Sequence, residues 1–176
     1  MDIIVLRLIH ILSGAFWFGA VFTNFVFVQP AVLALGPEGQ RVMVHVLRDR
    51  RFLDAVLGAA LLTGIAGGIL FLRDSGGLQL SFVFGASGVG FTVGAVAGLL
   101  ALVVFIFVGY PTTRRVVAIG SRLEAERRPP TPEEQALLAR SQRVLKPLGV
   151  VVLVLVAIAA AAMATARYWF LLLGIA

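Results

Sequence analysis

Apolar residues run through this chain in four long stretches, at residues 3–28, 53–72, 81–109 and 147–173. Each is longer than the roughly 18 residues that a helix needs to cross a bilayer. None shows the ten-residue alternating segments of a membrane barrel. Lipid offers no partner to a backbone amide, so continuous runs of this length must be helices. The pattern predicts an all-α integral membrane four-helix bundle, a single transmembrane domain over residues 1–176, with residues 110–146 forming a helical loop. Pro129-Pro130 splits that loop into two short helices. In the second, Thr131 is a cap, Pro132 suits the first helical position and Glu134 closes a capping box. Gly36-Pro37-Glu38-Gly39 predicts a turn, followed by a helical piece over residues 40–51. Met1-Asp2 provides no basic region and the first apolar run overshoots a signal peptide, so the first span is expected to stay in the mature protein.

Composition sharpens this picture. The chain is 60% hydrophobic and 14% charged, whereas soluble domains are about 45–50% apolar and about 25% charged, which excludes a water-soluble enzyme. The absence of cysteine removes disulfides, zinc-thiolate sites, iron–sulfur clusters and c-type haem attachment. Of the 15 Lys and Arg residues, twelve lie in segments 29–51 and 110–146, and only Arg7, Arg73 and Arg167 lie at the opposite span ends. By the positive-inside rule both basic segments are cytoplasmic and both termini outside, in the cytoplasmic (inner) membrane. The net charge of +6 is therefore a topology signal. No nucleic-acid partner is expected, because Glu124, Glu126, Glu133 and Glu134 interrupt the basic loop.

Helices in lipid associate through close packing at small residues. Ala86, Gly90, Gly94 and Gly98 form one such stripe, Ala60, Gly64 and Gly68 a second, and Ala157, Ala161 and Thr165 a third. Three stripes suit a tight bundle, or a bundle with one face left for a homodimer.

Intramembrane polar residues are functional suspects, and His10 stands out. Gly14, Trp17 and Asn24 follow it on the same helix stripe. An imidazole can ligate haem iron, Gly14 gives a flat group room to approach, and Trp17 can pack on it. Arg7, Arg73 and Arg167 lie at the outer rim, where they can pair with propionates. This arrangement suits a haem b, with His10 as iron ligand and Arg7, Gly14, Trp17, Arg73 and Arg167 around it. A neutral His10 hydrogen-bonded to a neighbouring helix is the alternative. His45, among basic residues near the cytoplasmic side, is a second metal-ligand candidate, set against a solvated interfacial role. Arg51 is the expected partner of Asp54. Tyr168 and Trp169 read as interfacial anchors. Gly85, Gly88 and Gly90 lie in an apolar span without a βαβ context, which removes a dinucleotide-binding reading.

The segment RLIHILSGAFWFGAVFTNFVFVQPAV carries His10, then Trp17 seven residues on, then Gly19. In this it resembles the copper-resistance D-type membrane domain, the haem-binding J-type protoporphyrinogen oxidase, and the integral membrane proteins of no assigned reaction grouped beside them. The resemblance covers about one-sixth of the chain, plus the span count, and implies that His10 is a haem-ligand histidine. The J-type oxidases continue with Pro-Arg-Leu-Phe and a further histidine, where this chain reads Asn24-Phe25-Val26-Phe27-Val28-Gln29-Pro30. Haem binding is thus implied, and protoporphyrinogen oxidation is not.

Together these features predict a membrane b-type haem protein with electron-transfer or oxidoreductase activity, its partners the lipid bilayer and a quinone or small redox molecule. A non-enzymatic scaffold or accessory subunit, and a copper or small-molecule permease, are the alternatives. Against the permease stand the short supply of soft ligands and the lack of a carboxylate at any span centre.

Overall fold

The computed structural model describes residues 2–169. Among them there is no strand. In chain order the elements are α1 (Ile3–Thr23), a π-helical turn (Asn24–Val28), α2 (Gln29–Ala34), α3 (Pro37–Arg48), α4 (Phe52–Asp74), α5 (Leu80–Val83) and α6 (Val89–Val104). A second π-helical turn (Phe105–Gly109), α7 (Tyr110–Glu126), α8 (Pro132–Thr165) and a 3-10 turn (Ala166–Tyr168) follow. Four helical stretches are long and apolar enough to cross a membrane: Ile3–Ala34, Phe52–Asp74, Val89–Glu126 and Pro132–Tyr168. That set suggests a multi-pass membrane protein.

The bounds differ from the sequence pattern in several places. The first long helix runs to Ala34, past the expected residue 28, and α3 starts at Pro37, within the expected 36–39 turn, and ends at Arg48, short of the expected 51. The third long helix starts at Val89 and not at 81, because the chain turns between α5 and α6. A Cβ on Gly88 would lie 2.0 Å from the Phe82 carbonyl oxygen, so this turn needs glycine there. Residues 110–126 continue the third helix without a break, since charge does not itself end a helix. The fourth helix begins at Pro132 and passes through Pro147; the expected residues 170–173 of that span lie outside the described residues. Its first turn carries the expected capping box: Glu134 N–H donates to Thr131 Oγ1 at 3.3 Å, and Thr131 N–H to Glu134 Oε2 at 2.9 Å. Arg128 adds a two-pronged pair to the same carboxylate.

Both π-helical turns have one cause. Each precedes a residue followed by proline, Gln29-Pro30 and Tyr110-Pro111. Proline has no N–H for the carbonyl four residues back, Val26 or Phe107, and its ring crowds that carbonyl. The turn widens, and Gln29 N–H and Tyr110 N–H instead reach Asn24 O and Phe105 O, five residues back.

The chain groups into two compact units. Among the described residues, the first comprises 2–18, 59–103 and 154–169. Its helices meet at small residues, as expected in lipid. Cβ atoms on Gly90 and Gly94 would come within 2.8 Å of Ala166 and Met163 respectively, so α6 uses its glycine stripe against the fourth helix. That helix answers with Ala159, Met163 and Ala166, and not with the predicted Ala157, Ala161 and Thr165: Ala161 and Thr165 are exposed. On α4, Gly64 packs on Leu102, while Gly68 faces open space. Leu6, Ala66 and Leu70 form a buried cluster with Ile3 and Ile9 against it.

The second unit comprises residues 19–58 and 104–153. Here Gly149 leaves room for the Phe25 ring, which an added Cβ would meet at 1.7 Å, and Gly120 lies against Val44. Asp54 accepts a 2.8 Å hydrogen bond from the Tyr110 hydroxyl and lies 3.6 Å from the expected Arg51.

Candidate functional site

Helical spacing puts Leu6, His10, Ser13, Gly14 and Trp17 of α1 on one face. Within the first unit that face meets α4 at Thr63 and Gly67. His10 Nδ1 lies 2.9 Å from the Thr63 carbonyl oxygen. A carbonyl only accepts, so Nδ1 carries the proton, and in the neutral ring Nε2 keeps its lone pair. The imidazole rests against Gly67, where a Cβ would lie 2.7 Å from Cε1 and 2.8 Å from Nδ1. Glycine at 67 is the slot that admits the ring.

Two hydroxyls brace this contact. Ser13 donates to the Ile9 carbonyl at 2.5 Å. Thr63 Oγ1 lies 2.8 Å from both Ser13 Oγ and the Ala59 carbonyl, and its single proton serves one of them at a time. One turn further on, Trp17 is 4% exposed, and its buried indole N–H has no acceptor among the described residues. An unpaired buried donor costs roughly 1–3 kcal/mol, so this one calls for a partner that the described residues do not provide.

The other predicted residues fall as follows. Gly14 is not open: Thr63 Cγ2 would be 3.4 Å from a Cβ there, so the space expected for a macrocycle at that position holds a side chain. Arg7 pairs with Asp74 at 3.7 Å. Arg73 and Arg167 are exposed and make no ion pair among the described residues. Asn24, the last member of the stripe, belongs to the second unit. Thr63, Ser13 and Gly67 were not singled out from sequence. Their signal was a hydroxyl in each of the first two spans, with Gly67 one helical turn beyond Thr63.

The donor set fits an iron ligand in one respect. Metal-bound histidines characteristically donate their other ring N–H to a carbonyl or carboxylate, which is the state in which Thr63 holds His10. No cluster of three or more His, Cys, Asp or Glu exists among the described residues, so a metal here would rest on His10 without carboxylate help.

His45 sits at the end of α3 in the second unit, its Nδ1 2.6 Å from Asp49 Oδ2. Arg48 holds Oδ1 of the same carboxylate. Arg48 first, and His45 after it, pull the Asp49 carboxyl below its ordinary range, with burial opposing them. A depressed carboxyl favours the folded state above its unfolded pKa, and that gain is lost as pH falls through the folded value. A carboxyl-carbon NMR titration should therefore find the Asp49 midpoint below that of free aspartate, and Arg48→Ala should raise it; an unmoved midpoint would remove this pairing.

No family model, curated protein or solved structure matches the chain.

Proposed function

We propose that this chain is a protein of the cytoplasmic membrane, with both termini outside, that holds one b-type haem through His10 Nε2 and exchanges electrons with a quinone or small redox partner. One observation carries the reading: an intramembrane imidazole whose Nδ1–H is fixed on the Thr63 carbonyl, leaving Nε2 as a directed lone pair. The twelve-to-three bias of Lys and Arg supports the orientation, and the likeness of the His10, Trp17 and Gly19 spacing to haem-binding membrane families supports the cofactor. A bound haem supplies a one-electron couple whose potential follows its axial ligand and surroundings. The chain's own residues do the rest. Thr63 fixes the tautomer and Gly67 fixes the ring plane. Trp17 offers its unpaired N–H on the same α1 face. At Gly14 the Thr63 methyl already lies at contact distance from the position of a Cβ.

A chain labelled with 15N-histidine tests the ligand. Pulsed electron paramagnetic resonance of the ferric protein should show strong coupling to one histidine nitrogen, retained in His45→Ala. Loss of the coupling with His45, or a protein without haem, would overturn the assignment.

A second reading is favoured by the closed face at Gly14. There His10 is a latch between α1 and α4 in a non-enzymatic scaffold. It predicts a colourless wild-type protein whose thermal stability falls when His10 is removed.

A further inference from the structure

The second unit holds a half-open pocket of about 200 Å³ that shares no lining residue with the His10 site. Its lining is of two kinds. Val21, Leu53, Val56 and Val152 line it and are buried, while Gln142 and Lys146, one turn apart on α8, line it and are exposed. Half-buried Asn24, Gln29 and Thr113 also line it.

Two features bear on its occupant. Among the described residues, none of these five polar side chains has a hydrogen bond or ion pair to another side chain or to the backbone. Gln142 and Lys146 are exposed and the other three are half-buried, so their polar atoms are free to meet a ligand. The lining holds one cation, Lys146, and no carboxylate, so its charge complements an anion. Both π-helical turns, which the following prolines produce, contribute to the wall, through Asn24 and Phe25 and through Phe105 and Gly109.

We infer that this cavity binds a single-chain anionic amphiphile, its oxyanion head at Lys146 and Gln142 and its acyl chain against the buried valines and Leu53. The volume lies below the roughly 300–1,000 Å³ of a drug-sized site, which suits a slender chain. Fatty-acid carboxylates and lipid phosphates share this chemistry.

Native mass spectrometry of the full chain, released from a neutral maltoside detergent, tests the assignment with three probes: decanoate, decyl phosphate and decanol. Decanoate or decyl phosphate should add once per chain, and the tighter of the two identifies a carboxylate or a phosphate source. Decanol should bind at least about tenfold more weakly, since charge-assisted bonds are about twice as strong as neutral ones. Lys146→Gln, at an exposed position that the fold does not need, should weaken the anionic probe about tenfold, and Lys146→Arg should retain it. Ala20→Phe, which fills the cavity and keeps Lys146, should abolish the adduct. Decanol binding as well as the anions, unchanged binding in Lys146→Gln, or no saturable adduct in the wild type would overturn the inference.

Discussion

If His10 is the iron's one protein ligand, as proposed, replacing it with alanine is expected to lower bound haem from about one per chain to below about a tenth. The fold should survive. The substitution removes one interhelical hydrogen bond, and in membrane proteins such bonds contribute about 0.6–2 kcal/mol. The Ser13–Thr63 contact and the Leu6–Ala66–Leu70 cluster remain to hold α1 on α4. Haem quantified by pyridine haemochrome, beside a thermal melt of the same preparation, separates loss of ligand from loss of fold. Stoichiometric haem in a folded His10→Ala protein would end the assignment.

Gly67→Ala carries the second large effect, and it leaves His10 in place. The new Cβ would sit 2.7 Å from the imidazole, well inside contact distance. The ring must swing off Gly67, and its bond to the Thr63 carbonyl goes with it. Overpacking of this kind costs roughly 1–3 kcal/mol, so a lower melting temperature is expected. Nδ1 would lose its fixed acceptor and Nε2 its direction. A haem held by Nε2 should then show a shifted Soret maximum and weaker retention. An unchanged melt and spectrum would show that the ring does not lie in that slot. Gly68→Ala, one residue on with nothing within 4 Å of the added atom, is the matched control and should behave as wild type.

Much of the helical framework was legible in sequence, because a lipid-spanning helix is written as an uninterrupted apolar run. The errors cluster where hydropathy is silent. Gly85 and Gly88 carry no charge and Ser87 is the one polar residue between them, so the turn before α6 left little mark in hydropathy. The charged residues 110–126 resembled a loop, yet α7 extends the apolar helix through them. The stripes diverged for a different reason. Glycines are distinct enough in α6 to mark its packing face. The fourth helix is rich in alanine over residues 157–166, so several phases look equally small, and the one used was Ala159, Met163 and Ala166. At the site, His10 was visible as a polar residue in an apolar span. Its partners were not: Thr63 acts through a backbone carbonyl, which every residue has, and Gly67 through an absent side chain. The Arg51–Asp54 pair was readable from helical spacing, whereas the Tyr110 hydroxyl that joins it comes from 56 residues away and needed the fold.

The central claim, a haem on His10, is tested most directly by the absorption spectrum of the full chain purified in neutral detergent, air-oxidised and then reduced with dithionite. The account predicts a Soret band and an α band that sharpens on reduction, at about one haem per chain. A colourless protein that also takes up no added hemin contradicts it.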